Sequence, residues 1–301
     1  MKAMLRVGVV GLGKLGTIHL RIYKEIKGIG KIYLVDIDKE ALKSHPQDQH
    51  FSDYHKLKGK VDLVSLASPT TTHFKIAEFF LKNRIPVLVE KPIAQNSQQA
   101  KKLVQLAKKN RTLLFVGHVE RYNSAYIAVK KMIKNPLFIE CHRLNPYPHL
   151  RALDVSVVLD LMIHDLDIIL YLLQDEVKKI QAKGVKVLSS SEDIANARIE
   201  FKNGCVANIT SSRISSKKER KIRIFMPNCY ISLDYAQQSV EIYRKLKTKI
   251  VKRHLKINKQ EPLKKEINDF VDSVKKRKFD LKDAVKAKDA LELALRIQKI
   301  M

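Results

Sequence analysis

Tryptophan is absent from this chain of 301 residues, cysteine occurs three times, and acidic side chains number 31 against 58 lysines and arginines. The cysteines, at 141, 205 and 229, show no C-x-x-C spacing, which argues against a disulfide framework or a zinc ribbon and for buried thiols in a cytoplasmic protein. No apolar run reaches the roughly 18 residues that a membrane-spanning helix needs. The opening MKAMLRVGVVGL is apolar enough to suggest a secretory leader, but glycines at 8 and 11 break it and no small-residue cleavage site follows. The acid deficit leaves a formal charge of +27. Such a charge attracts polyanions, yet the lysines are spread through nearly every segment, zinc-finger spacing is lacking, and the one strong cluster is KKRK at 275–278. A solvated lysine-rich surface is expected, with attraction of an anionic substrate or polymer as the alternative; specific nucleic-acid recognition is not indicated.

What is present is a chain 45% hydrophobic, long enough for a large core and for two domains. Leu5 to Val10 reads as a buried strand and runs straight into Gly11-Leu12-Gly13-Lys14-Leu15-Gly16. Ile18, Ile22 and Ile26 then recur at helical spacing, so a glycine turn joins strand to helix. In that setting Gly11 permits the tight turn, Gly13 lets the backbone approach a pyrophosphate, and Gly16 allows close packing of helix on sheet. Lys14 and Leu15 open the helix whose free amides face the phosphate. A second strand over Lys31 to Val35 ends at Asp36, 20 residues beyond Gly16. A carboxylate there accepts hydrogen bonds from ribose hydroxyls and repels a 2′-phosphate, so NAD is favoured, with NADP possible because Asp38 and Lys39 follow closely. A relic nucleotide fold without cofactor is the plain alternative.

Further strands are expected at Val61 to Ala67, Val87 to Val89 and Leu113 to Val116, separated by helical patterns at 73–82 and 97–109. This alternation predicts an α/β, Rossmann-like, doubly wound parallel sheet. Pro69 and Thr70 close one strand beside the cofactor cleft, with Thr70, Thr71 or Thr72 as a helix cap and His73 as a first-turn residue rather than a catalyst. LVEKPIA at 88–94 puts Lys91 at a strand end, where an ammonium can stabilise an alkoxide. Pro92 biases Lys91 toward an extended backbone, and Glu90 can anchor the lysine or a strand end. A solvated surface charge is the other reading of Lys91.

The stretch VVLDLMIHDLDIILYLL, 157–173, is a largely buried helix interrupted by acids. Spacings of four and three bring Asp160, His164 and Asp167 onto one face, where His164 can act as a base and Asp160 can orient its ring. Asp165 projects elsewhere. A zinc site would need a third ligand, and no such pattern completes it, so no metal is expected. His118, Arg121, Arg143 and Arg151 are candidates for binding a diphosphate. Within NPYPHLR at 145–151, Tyr147 can stack on a base or sugar and His149 is a polar contact. Each of these residues has a structural reading beside the binding one: a salt bridge, a packed ring or a solvated imidazole.

GLGKLG at 11–16, Asp36, SPT at 68–70, EKP at 90–92 and DLMIHDLD at 160–167 resemble, in that order, the motifs of the Gfo/Idh/MocA oxidoreductases. The resemblance implies nicotinamide-dependent oxidation of a hydroxyl on a cyclic polyol, sugar or sugar nucleotide. It implies that Lys91, Asp160 and His164 are the catalytic positions, with His164 the proton acceptor, and that Glu90 and Lys91 lie among the cofactor contacts. GHVERYN at 117–123 together with DVSVVLDLMIHDLD at 154–167 is similar to the branch that oxidises the 3-hydroxyl of UDP-N-acetylglucosamine. Tyr122 and Ser124 depart from that branch's usual phenylalanine and proline. Inositol or simple-sugar oxidation is an alternative; a noncatalytic NAD-sensing or polyanion-binding protein is another.

After residue 120 the rhythm changes to strand upon strand: Leu137 to His142, Ile180 to Val187, Ile194 to Phe201, Val206 to Ser211, Ile222 to Phe225, Cys229 to Leu233, Ser239 to Tyr243 and Lys249 to Leu255. This predicts a C-terminal α+β substrate domain with a large, mostly antiparallel sheet. The expected division is 1–120 for the dinucleotide, 121–280 for substrate binding and oligomerisation, and 281–301 as a helix docking back on the first domain. One sheet face is expected to meet another copy, as the resemblance also implies a dimer or tetramer.

Overall fold

β1 (Leu5–Val10) ends in four consecutive buried residues, 7–10, the pattern of a strand in the interior of a parallel sheet. The computed structural model describes residues 4–147 and 155–301. It contains two units, residues 1–118 with 263–288, and residues 119–262 with 289–301. In the first, β1 leads to α1 (Lys14–Glu25), β2 (Ile29–Val35), α2 (Lys39–Lys43) and β3 (Gln49–Phe51). Then come β4 (Leu63–Leu66), α3 (Thr70–Lys82), β5 (Val87–Val89), α4 (Ser97–Lys109) and β6 (Leu114–Val116). The strand order is β3-β2-β1-β4-β5-β6, and every pairing is parallel. The order reverses between β1 and β4, so the crevice where such sheets bind ligands opens at the carboxyl ends of these two strands.

The second unit begins with a 3-10 turn (Val119–Tyr122), α5 (Ser124–Val129) and β7 (Phe138–Leu144). A π-helical turn (Val158–Met162) leads into α6 (Ile163–Leu173). Then follow β8 (Val177–Val185), β9 (Ile194–Phe201), β10 (Val206–Ser212), β11 (Glu219–Met226), β12 (Cys229–Asp234), β13 (Ser239–Leu246) and β14 (Lys249–His254). These eight strands are ordered β14-β13-β12-β11-β7-β10-β9-β8, antiparallel except for the parallel pair β7 and β10. Alternation is clear here: Ile139, Cys141 and Arg143 are buried on one face of β7, while Phe138, Glu140, His142 and Leu144 are half-buried on the other. No helix among the described residues is long and apolar enough to cross a membrane.

Two helices close the chain, α7 (Pro262–Lys275) and α8 (Lys282–Ile300). Ile267, Phe270 and Val271 of α7 pack into the first unit's core with Val7, Val9, Tyr23 and Phe115. The Phe115 and Phe270 ring centres lie 5.2 Å apart. The division differs from the three segments read from the sequence: the return to the first unit starts at 263, and α8 is shared between the units. The i, i+3, i+4 apolar stripe of α7 sits among many lysines, which hides the helix in the sequence. A second difference is local. The α3 N-cap is Pro69, without a side-chain cap bond, rather than one of the three threonines. Replacing Phe270 with alanine removes the core contribution of α7 and is expected to cost about 3–5 kcal/mol, read as an earlier urea unfolding transition of the full chain.

Candidate active site

At the end of β1 the chain turns through Gly11 at φ +90°, and a Cβ there would lie 2.6 Å from the Ser68 nitrogen. Both strain and space therefore require glycine. The Gly11 N–H donates to the Val35 carbonyl at 2.8 Å, which ties the turn to the end of β2. A Cβ on Gly16 would sit 1.7 Å from the Gly11 carbonyl oxygen, so α1 can start this close to the strand only with glycine there. Gly13 is different. It is the exposed N-cap of α1, makes no side-chain cap bond, and a Cβ on it would meet nothing within 4 Å. The space above it admits a ligand against the backbone, where first-turn amides face outward. Lys14 and Leu15 are exposed on that first turn.

Asp36 follows β2 and is half-buried. One carboxylate oxygen accepts from the Leu12 N–H at 2.6 Å and the other from the Asp38 N–H at 2.9 Å. An ionised carboxylate offers about four acceptor positions, so about two are left for hydroxyls. Ile37, 90% exposed, stands beside it. Ile37 is not among the residues expected from the sequence, although an apolar residue directly after a strand-ending acid is a signal for it. These features fit a dinucleotide: a cradle that a side chain would fill, a helix N-terminus and a preset acceptor.

Beyond β4, the Ser68 and Thr72 hydroxyls lie 2.6 Å apart, and Thr72 donates to the Pro69 carbonyl at 2.8 Å. Pro69 is exposed and Thr70 half-buried. His73 links two loops: Nδ1 is 2.9 Å from the Pro92 carbonyl and Nε2 is 2.8 Å from that of Ser68. Burial lowers its pKa against the pull of these carbonyls, so the ring is neutral and donates to only one of them at a time. Lys91 is half-buried at the end of β5, and its peptide bond to Pro92 is cis, which the residue pair alone did not announce. Glu90 is buried: Oε1 lies 3.0 Å from Nε2 of His19, whose Nδ1 is 2.7 Å from the Ser65 hydroxyl. The Glu90 carboxylate also lies against Gly117, where a Cβ would meet it at 2.7 Å. His19 is likewise absent from the residues expected from the sequence; its signal is a polar residue in the stripe Gly16, His19, Leu20, Tyr23, which is buried.

In the second unit the π-turn and α6 share the segment that carries the acids and the histidine. Asp160 in the π-turn and His164 in the first turn of α6 are half-buried, whereas Leu161, Met162, Ile163, Asp165 and Leu166 between and after them are buried. Asp160 and His164 thus stand on the less buried side of this stretch, and the turn that carries Asp160 is π-helical. The other two acids face inward. Arg143 donates to Asp165 through Nε and Nη2, each at 2.9 Å, and to Glu120 through Nη1 at 2.9 Å. Arg121 grips Asp167 through Nε at 2.7 Å and through Nη2, and lies over the Tyr171 ring at 5.3 Å. Asp167 therefore does not share the open face with Asp160 and His164. Burial raises the Asp165 carboxyl while Arg143 opposes it, and the two carboxylates keep Arg143 charged despite its burial.

Of the residues expected to meet a diphosphate, Arg121 and Arg143 are thus engaged in buried ion pairs. His118 is buried and groups with the first unit. Tyr147 is half-buried after β7, while His149 and Arg151 lie outside the described residues. Among the described residues no three His, Cys, Asp or Glu side chains are grouped as a metal site.

Comparison with known proteins gives the same outline. The Gfo/Idh/MocA model described as an oxidoreductase family with an NAD-binding Rossmann fold matches residues 5–118, and that family's C-terminal domain model matches 129–232. A UDP-N-acetylglucosamine 3-dehydrogenase of Acidithiobacillus ferrooxidans is 30% identical over 98% of this chain and 96% of its own. The crystal structure under that name superposes with a TM-score of 0.92 at 30% identity, covering 99% of this chain and 98% of the other. A myo-inositol 2-dehydrogenase of Thermotoga maritima is 28% identical over 69% of each chain.

The contrast between Gly13 and Gly16 is testable. Gly13→Ala is expected to leave the melting temperature within about 2 °C of wild type, because the site is open and a change of about ±0.5 kcal/mol is usual there, while NAD affinity by calorimetry falls at least about tenfold. Gly16→Ala is expected to lower both. A second test uses His73. Its folded pKa lies below the 6.5 of an ordinary imidazole, so its contribution to stability is complete above that pH and is lost as pH falls toward the folded value. Between pH 7.5 and 5 the wild type is expected to lose more thermal stability than His73→Gln.

Proposed function

This chain belongs to the Gfo/Idh/MocA oxidoreductase family, and on that premise we propose that it oxidises a secondary hydroxyl of a sugar nucleotide, C3 of UDP-N-acetylglucosamine, with NAD. The observation that carries the substrate is similarity over nearly the whole chain to a dehydrogenase of that name. A second reading, an inositol dehydrogenase, is supported by relatives of that name that match a shorter part of the chain.

Gly11, Gly13, Lys14 and Leu15 would hold the pyrophosphate, Asp36 the ribose hydroxyls, and Ile37 the apolar side of the adenosine. Pro69, Thr70, Glu90 and Lys91 complete the cofactor set, Glu90 acting from its place beside His19. The Asp36 carboxylate supports NAD over NADP, since a 2′-phosphate would meet an acid already ordered by two backbone amides. Bound there, the nicotinamide supplies the hydride acceptor. His164 takes the hydroxyl proton, Asp160 orients the imidazole, and the Lys91 ammonium stabilises negative charge on the same oxygen. Arg121 and Arg143 act by holding the helix that carries His164, which leaves His118, Tyr147, His149 and Arg151 as the proposed contacts to the nucleotide. A dimer or tetramer is part of this reading. Phe138, Phe225, Tyr230 and Tyr243 stand in register across β7, β11, β12 and β13, on the sheet face opposite Arg143, with successive centroids 5.6, 5.1 and 4.2 Å apart. Such a row suits a second copy.

The test is NADH formation from UDP-N-acetylglucosamine, with myo-inositol in parallel. Turnover on the sugar nucleotide is expected to exceed that on the polyol. Lys91→Met and His164→Asn are each expected to reduce kcat by about 10²–10⁴; NAD affinity is expected to change by less than about threefold in His164→Asn and to fall far less than turnover in Lys91→Met. Equal reduction rates in wild type and both variants would remove these roles.

A further inference from the structure

Cross-strand register lines up four polar side chains on one face of the second sheet. Ser211 of β10 pairs with Arg143 of β7, Arg143 pairs with Arg220 of β11, and the Tyr235 N–H donates to the Arg220 carbonyl at 2.8 Å. Ile222 and Ile224 share the Arg220 face by the two-residue period and are buried. Arg143 on that face reaches α6 through Asp165, and the π-turn bearing Asp160 packs on β10. The row therefore lies under the segment that carries Asp160 and His164.

Two guanidinium groups on neighbouring strands repel one another. Arg143 is answered by Asp165 and Glu120. Arg220 is not: its Nε is buried and, among the described residues, has no hydrogen-bond partner. The same holds for the Ser211 hydroxyl and the Tyr235 hydroxyl beside it in the row. Three such atoms around one arginine pair form a concentration that folded proteins avoid unless water or a ligand completes it. Arg220 also keeps partial exposure, whereas Arg143 is 2% exposed.

Charge decides what kind of ligand fits. Arg143 and Arg220 stand with three carboxylates, Glu120, Asp165 and Asp160, all close enough for their charges to act on Arg220. Burial and Arg143 lower the Arg220 pKa, and those three acids oppose the shift. Adding a diphosphate to a cluster already short of positive charge is unfavourable. A neutral acceptor, a hydroxyl or an amide carbonyl, satisfies the donors without that cost.

We propose that Arg220 is a substrate-binding residue that donates to a neutral oxygen of the sugar, a ring hydroxyl or the N-acetyl carbonyl, and does not bind the diphosphate. This rests on the sugar reading given above but not on the nucleotide part of it. Arg220 lies outside every motif that carries the family resemblance.

The test compares wild type, Arg220→Gln and Arg220→Lys, with two readouts. Calorimetric titration of the NAD-loaded protein with UDP reports the diphosphate alone, and steady-state rates report the sugar. Arg220→Gln is expected to lose about tenfold to a hundredfold in kcat/KM on the sugar substrate, mostly in KM, with UDP affinity unchanged and partial rescue in Arg220→Lys. Loss of UDP affinity in Arg220→Gln would overturn the proposal in favour of an anion site. Unchanged kcat/KM would overturn it outright, and so would a fall in kcat alone, since that would place Arg220 behind Asp160. If Arg220→Gln does not fold, Arg220→Lys decides by the same readouts. If wild type oxidises myo-inositol but not UDP-N-acetylglucosamine, the sugar-nucleotide reading fails, and the effect of Arg220→Gln on inositol KM still decides the proposal.

Discussion

The second unit depends on a guanidinium that has been taken out of water. Removing an arginine and two acids from solvent costs several kcal/mol per ion, and only good geometry recovers it. Arg143 has that geometry, with two parallel bonds to Asp165 and a third to Glu120, all at 2.9 Å. The cluster is for this reason weak evidence of extra stability, but deleting one partner would leave a buried charge alone, at about 3–5 kcal/mol. What the ion pairs add is direction. An apolar helix can rotate or slide on a sheet with little change in buried area, whereas a bidentate bond from β7 to α6 and another from the 3-10 turn to α6 allow one orientation. With Asp165 and Asp167 directed inward, Asp160 and His164 are left on the open side.

The first unit solves its positioning problem with the backbone. The distance between α1 and β1 is set by the absence of two side chains: a Cβ at Gly11 or at Gly16 would come closer to neighbouring backbone than a Cβ does in folded proteins. That approach places the α1 amides where a phosphate can lie. Side chains enter one layer below, as His19 joins Glu90 at the end of β5 to Ser65 in β4, and His73 joins the loops after β4 and β5. Lys91 is flanked by both links, Glu90 before it and Pro92 after it.

Local chemistry was legible where it was self-contained. Ser97–Lys109 and Ile194–Phe201 appear with the boundaries that periodicity and alternation indicated, and the glycine turn behaves as its spacing implied. Legibility failed where a residue's role depends on a distant partner. Arg121 and Arg143 looked like phosphate ligands because exposed arginines are suited to that work; their acids lie 46 and 22 residues away in the chain. Asp167 was grouped with His164 by an ideal helical period, and the inward pull of Arg121 separates them. The α7 stripe was hidden by the lysines around it, and it became visible only as the partner of Phe115.

The sequence by itself determined the nucleotide-binding half: a strand, three glycines and an acid act within one short segment, and their sterics and hydrogen bonding are local. It also determined that the second half would be a sheet, since alternation is a property of each strand alone. The tertiary structure decided which charges are available. Whether an arginine faces a ligand or a carboxylate depends on strand register, and register is settled by packing across the sheet, as the pairing of Arg143 with Arg220 shows. One of those two side chains anchors a helix while the other keeps an unmet donor, a distinction that no pattern of neighbouring residues encodes.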